Sequence, residues 1–150
     1  LGKSAKANIV VNKYLSHEVF AGGIFAIANH LAGLCDDIQL VTLLGDNDSR
    51  EDFVLNNLKS NIKTKFFYRN DGPTIVKKRY FNQYLNQKLF EINFLNTQYI
   101  NGNLESSIIE YIKSQIPSYN LVLVSDFGHG FITNNIIKGI EAYSKKIVVK

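Results

Sequence analysis

Two short, mostly apolar runs most constrain the fold: residues 38–44 (IQLVTLL) and residues 121–124 (LVLV). Neither alternates apolar with polar, so neither suits a strand with one wet face. Both suit strands buried on both faces, as in a parallel sheet covered by helices. The neighbouring segments supply those helices. Residues 24–34 (IFAIANHLAGL) are apolar nearly all round and predict a mostly buried helix. Residues 50–58 carry Phe53, Val54 and Leu58 at helical spacing, after capping residues Asp46, Asn47, Asp48 and Ser49. Residues 104–116 place Leu104, Ile108, Ile109, Ile112 and Ile116 in one stripe. Residues 132–143 predict a further helix with Thr133 as its cap, and residues 147–149 a strand.

A different pattern interrupts this alternation. Residues 8–14 (NIVVNKY) and 62–68 read as strands. After the turn Asn70-Asp71-Gly72-Pro73, residues 74–82 and 88–94 predict an antiparallel pair joined near Tyr84, Leu85 and Asn86. The expected architecture is a three-layer α/β core, residues 23–60 and 104–150, with a small β appendage, residues 7–14 and 62–94. In such folds ligands bind beyond the carboxyl ends of the parallel strands. That places the residues from Gly45 to Asp48 and from Asp126 to Gly130 as walls of a site.

Composition excludes several classes. A chain of 150 residues buries about 70% of its unfolded surface, enough for one core. A hydrophobic fraction of 45% with 20% charged residues is that of a globular protein, not a disordered one. No apolar run approaches the roughly 18 residues of a membrane span. One Cys, Cys35, excludes an internal disulfide; it is expected as a packing residue in a reducing, cytoplasmic compartment. The net charge of +4 is spread along the chain and not gathered into a stripe with aromatic platforms, so no nucleic-acid partner is expected. His17 and His30 have no partner at metal spacing. The chain begins Leu1-Gly2-Lys3 and has no Met, so it is expected to be a segment of a longer translated product.

Three features suit a ligand site. Ala21-Gly22-Gly23 precedes a helix, where two glycines permit close backbone approach and first-turn N–H groups suit an anion or hydroxyl; a tight turn into a packed helix is the plainer alternative. Asp126-Phe127-Gly128-His129-Gly130 puts a carboxylate and free amides at a strand end, with His129 as a proton-transfer or phosphate-contacting group. Lys77 and Arg79 share one strand face and suit a phosphate or carboxylate, or simply water. The G-x-G-x-x-G fingerprint and the Walker loop are both absent, which disfavours a nicotinamide-binding domain.

In this order the pieces resemble the ribokinase-like (PfkB-type) carbohydrate kinases, and among them the kinase module of bacterial heptose-7-phosphate kinase/nucleotidyltransferase proteins. Residues 4–11 (SAKANIVV) resemble the family's S-P-E-A-P-V-P-V, and Gly22-Gly23 with Ala28, Leu31 and Ala32 its G-G-A-A-N-V-A-x-N-L-A. Gly45 and Asp48 match G-x-x-D, residues 73–79 match P-T-x-x-K-x-R, residues 87–94 resemble Q-x-L-x-R-x-D-F, and residues 125–130 resemble S-D-Y-x-K-G. The resemblance implies a sugar-binding and lid half of a kinase that uses ATP and Mg²⁺, neither of which is expected to bind well to this chain alone. It implies substrate contacts at Gly22, Gly23, Asn29, Lys77, Arg79, Asp126 and His129, and no catalytic residue here, since the family's G-A-G-D base motif is missing. The implied partners are a sugar or sugar phosphate, a second copy joined through the lid, and in the parent a fused nucleotidyltransferase. The chain departs from the pattern at Ala26 and His30, where the family has Asn. It departs again at Glu91 for Arg, Asn93 for Asp and His129 for Lys. Those changes keep open a non-catalytic carbohydrate-binding or dimerisation module as the alternative.

Overall fold

The computed structural model describes residues 2–3 and 10–150. In chain order these form β1 (Gly2–Lys3), β2 (Val10–Val11), α1 (Ile24–Leu31), β3 (Ile38–Gly45), α2 (Glu51–Asn56), β4 (Ile62–Arg69), β5 (Val76–Asn82), β6 (Gln87–Phe94), α3 (Gly102–Gln115), β7 (Val122–Val124), α4 (Asn134–Tyr143) and β8 (Ile147–Val149). A short 3-10 turn, Ile116–Ser118, ends α3. The result is a mixed α/β fold with parallel pairs β3–β4 and β7–β8 and antiparallel pairs β1–β2 and β5–β6.

The parity of β3 and β4 builds the layers. Leu40 and Leu44 of β3, with Ile62 and Phe66 of β4, face α1 and α2, where they meet Ala28, Val54 and Leu58. Val41, Leu43 and Phe67 face the other way, into a cluster with Ile108 and Ile112 of α3, Ile136 and Ile140 of α4 and Val124 of β7. Helices therefore cover both faces of the β3–β4 pair. Both even and odd residues of β3 meet apolar partners, as its mostly apolar, non-alternating run requires. Ile108 and Ile136 are fully buried, and burial contributes roughly 1.5–3 kcal/mol each. Thr133 caps α4 as expected, its Oγ1 accepting from the Ile136 N–H at 3.2 Å.

Three expectations are corrected. Residues 62–68 form a strand, but β4 runs parallel to β3, Ile38 opposite Ile62 through Gly45 opposite Arg69, so it belongs to the core and not to the β appendage. The strand expected over residues 8–14 is described only from Val10: Val10–Val11 pairs antiparallel to Gly2–Lys3, 12–20 are irregular and exposed, and residues 4–9 lie outside the described residues. Cys35 is exposed, because α1 ends at Leu31 and the chain has already left the core.

The segment expected as a lid is a two-stranded hairpin. β5 and β6 pair from Val76 opposite Phe94 to Asn82 opposite Gln87, with a register shift at Tyr80/Phe81. One face gathers Val76, Tyr80, Phe90, Ile92 and Phe94, with Tyr80 stacked on Phe90 at 4.4 Å between centroids and Lys78 over the Phe94 ring. Most of that face is solvent-exposed.

One bond ties β4 to α2. The Tyr68 hydroxyl donates to Glu51 Oε2 at 2.5 Å. That bond, then desolvation and the Glu51 charge, push the phenol up to about 12. The folded chain holds this proton more tightly than the unfolded one, so the contribution is complete below pH 10 and lost as pH rises towards 12. Tyr68 is 41% exposed, so solvent screening keeps that contribution small. An ultraviolet titration of the eight tyrosines is expected to show a late-ionising phenol that vanishes in Tyr68→Phe. Superimposable curves for the two proteins would show that the bond does not hold in solution.

Candidate functional site

The site grows from the carboxyl end of β7. Lys150 donates its N–H to the Val124 carbonyl and accepts from the Asp126 N–H, which holds the start of the loop against β8. Asp126 Oδ1 then accepts the Gly128 N–H at 2.9 Å, closing an Asx turn. Gly128 and Gly130 take φ of +70° and +77°, so the loop folds back, and the Gly130 carbonyl accepts from the Ile100 N–H at 3.0 Å. Asp126, Phe127 and Gly128 are exposed at the mouth. Ser125 Oγ and His129 Nδ1 are buried without a hydrogen-bond partner among the described residues. Two orphaned polar atoms in one loop at a strand's carboxyl end suit a polar ligand.

The second wall is the start of α1. Gly23 is its N-cap with φ +59°, and the first turn has neither a side-chain cap nor an acidic residue. The positive end of the helix is thus uncompensated. A Cβ placed on Gly23 would lie 3.7 Å from Phe127 Cε2, and one on Gly22 would meet open space. The two glycine motifs, more than a hundred residues apart in sequence, are neighbours.

The third wall is the root of the β5–β6 hairpin. Gly45 packs so closely on residues 72–74 that a Cβ would lie 2.4 Å from Pro73 C and Thr74 N. Thr74 Oγ1 accepts from Gly45 N–H at 2.9 Å and donates to the Ser49 carbonyl at 2.7 Å. Residues 45–48, expected as a wall of the site, together with Ser49, are therefore where the root of the β5–β6 hairpin is seated. Asp48 in that loop is paired with Arg50 at 2.8 Å.

The expected site residues divide. One approach, Gly23 to the Phe127 ring, sets the Gly22-Gly23 turn beside the loop that carries Asp126 and His129. Asn29 does not join them: its Nδ2 donates to the Asn57 carbonyl at 2.7 Å and its Oδ1 accepts from the Lys59 N–H at 2.9 Å. These groups precede β4, at the amino ends of the strands, the edge opposite the glycines. Lys77 and Arg79 lie on the lid hairpin, opposite Asn93 and Glu91. Arg79 Nε pairs with Glu91 Oε2 at 2.6 Å, so its charge is already met. Burial raises the Glu91 carboxyl, but Asn93 and Arg79 outweigh it and the net direction is down. Among the described residues, no hydrogen bond or ion pair joins Lys77 or Arg79 to the Asp126 loop.

Sequence reasoning missed Arg69, which is 5% exposed at the end of β4. Its only sequence signal is Arg two residues before Asp71, at a strand end that leads into Gly72-Pro73. Ser125 was quoted only as part of a motif.

No family model matches the chain. It is 20% identical over 143 residues to the bifunctional protein HldE of Trichlorobacter lovleyi, 25% over 142 residues to that of Histophilus somni, and 30% over 132 residues to that of Coxiella burnetii. These alignments take in 95%, 95% and 87% of this chain, but only 29%, 29% and 27% of the relatives. The chain thus spans less than a third of the length of the curated relatives it matches. The kinship expected from motif order, with bacterial bifunctional heptose-7-phosphate kinase/nucleotidyltransferase proteins, is borne out by these alignments.

Proposed function

We propose that this chain is the sugar-binding and lid part of a ribokinase-like sugar-phosphate kinase, a segment of a bifunctional cytoplasmic transferase whose substrate is a heptose phosphate. One observation carries the reading: Gly23 against Phe127 puts both glycine motifs at the carboxyl end of β7, beside the lid root. The motif order and the HldE alignments support it. In this reading the first-turn backbone of α1 and the amides of residues 127–130 approach the anionic and hydroxyl groups of the sugar. Asp126 accepts a sugar hydroxyl, and the orphaned Ser125 Oγ and His129 Nδ1 complete the contacts. Phosphoryl transfer rests on positioning and charge stabilisation, so a sugar held at one fixed place is what this part supplies.

In this reading ATP and Mg²⁺ serve the parent enzyme and are not held by this chain alone; neither glycine motif is a Walker loop. The reading assigns the nucleotide to the part of the relatives that this chain does not span. The exposed aromatic face of β5–β6 is assigned to a second copy, giving a homodimer through the lid. No described helix is long and apolar enough to cross a membrane.

The alternative is a carbohydrate-binding or dimerisation module without catalysis, favoured by the neutralised Arg79 and the occupied Asn29. Calorimetric titration separates the two. The kinase reading expects a heptose 7-phosphate to bind, the unphosphorylated heptose to bind at least about tenfold more weakly, and Asp126→Ala to weaken binding about tenfold, near the worth of one charged hydrogen bond. Equal affinity for both sugars would favour the binding module. No ATP consumption is expected from these residues alone.

A further inference from the structure

We propose that Arg69 is a positioning residue that ties both strands of the lid root to the 126–130 loop, so that lid and loop move as one unit. The proposal rests on the reading that this loop holds the sugar phosphate.

The guanidinium touches three separate stretches of chain. Its Nε and Nη2 clasp the Asp71 carboxylate at 2.6 and 3.0 Å, on the segment entering the lid. Nη2 also donates to the Gln98 carbonyl at 3.0 Å, and Nη1 to the Asn96 carbonyl at 3.4 Å, both on the segment leaving the lid. Nη1 further donates to the His129 carbonyl at 3.4 Å. Three nitrogens thus serve five acceptor oxygens, a geometry that suits the rigid fork of arginine and not the point charge of lysine.

The surrounding contacts close the same ring. Asn96 Nδ2 donates to the Asp71 carbonyl at 2.9 Å, joining the two root strands directly. The Arg69 carbonyl accepts from the Asp46 N–H at 2.9 Å, which fixes the hub to the loop after β3. Gly130 passes so close beneath Gln98 that its position depends on that strand. A buried cation is a poor way to fill space, since an apolar residue of similar volume would often stabilise as well or better. What the cation adds is direction: it fixes three carbonyls and a carboxylate from segments that share no helix or sheet. Arg69 lies beside the site and reaches the ligand only through the His129 backbone.

The test uses the full chain with Arg69→Leu, Arg69→Lys and Asp71→Asn, followed by amide hydrogen exchange, by the His129 ring resonances and by titration with a heptose 7-phosphate. Arg69→Leu is expected to speed exchange about tenfold in residues 95–99 and 126–131 together, with the α3–α4 core unchanged, to shift the His129 ring signals, and to weaken heptose phosphate binding about tenfold. Arg69→Lys should restore these only in part, because it keeps the charge and loses the fork. Should Arg69→Leu not fold, Asp71→Asn, on the half-exposed side of the pair, is expected to loosen the same two segments about threefold. Loosening of 95–99 with 126–131 and the His129 signals unmoved would overturn the proposal. So would unchanged affinity in Arg69→Leu. The exchange result judges the tie alone: if the unaltered chain binds no heptose phosphate while both segments still loosen together, the tie is upheld and the sugar-phosphate reading fails.

Discussion

Ile136→Ala is expected to lower the unfolding free energy by about 4 kcal/mol, the upper half of the usual range for a buried isoleucine cut to alanine. Ile136 has no exposed surface and sits in α4 facing Ile108, which is equally buried, with Phe67 and Val124 in the same cluster. The site has little room to collapse. Two helices and two parallel pairs meet there, and Gly139 packs 3.7 Å from Ile109 once given a Cβ, so α4 already lies close to α3. The deleted atoms therefore leave a cavity in addition to the lost transfer energy. For a domain whose whole stability is roughly 5–15 kcal/mol, that is a large share. Urea unfolding followed by circular dichroism checks it, with Ile136→Val expected to cost only about 1 kcal/mol. A loss below about 1.5 kcal/mol for the alanine would mean that α3 and α4 slide together to fill the space.

Legibility in the sequence tracks how directly a pattern states its environment. β3 was legible because it is apolar at both parities. β4 was legible as a strand yet assigned to the wrong layer, and Lys63 and Lys65 are the reason. Two lysines at alternate positions imitate a half-wet hairpin strand. In the structure Lys65 lays its stem over the core face and sets its ammonium 5.1 Å from the Phe67 ring and 5.6 Å from the Tyr111 ring. Snorkelling lets a charged residue line a packed face, and alternation alone does not reveal it. Lys63 pairs with Asp37 at 2.8 Å outside the strand.

The site divides along the same line. The nearness of the Gly22-Gly23 turn to the 126–130 loop was expected because both lie where the chain passes between a strand's carboxyl end and a helix. Asn29 was misplaced because spacing along α1 does not say which neighbour a helix face meets, and here that neighbour is the turn before β4. The availability of Arg79 depended on its cross-strand partner, Glu91, and the register that opposes them is set by a bulge absent from any local pattern. Arg69 was illegible for a deeper reason. Its partners are mostly backbone carbonyls, and carbonyls leave no trace in sequence.

Gly130→Ala is the sharpest check on how closely lid and loop are held. A Cβ at Gly130 would lie 2.1 Å from the Gln98 carbonyl oxygen and 2.6 Å from its carbon, both backbone atoms that have no rotamer by which to retreat. The φ of +77° adds roughly 1–2 kcal/mol for any L side chain. Displacing the Gln98 strand adds roughly 1–3 kcal/mol more. The expected loss is about 4 kcal/mol, together with loosening of the Ile100 N–H bond to the Gly130 carbonyl. Gly128→Ala supplies the control, because its φ of +70° is nearly the same but nothing lies within 4 Å of its Cβ. That variant is expected to lose only about 1–2 kcal/mol. The difference between the two, read by thermal unfolding of otherwise identical proteins, isolates the clash from the backbone strain. If both variants lose the same amount, the exit strand of the lid yields freely and the close contact constrains nothing. If Gly130→Ala loses at least about 1.5 kcal/mol more, the loop and the lid root are fixed to each other by backbone as well as by the guanidinium of Arg69.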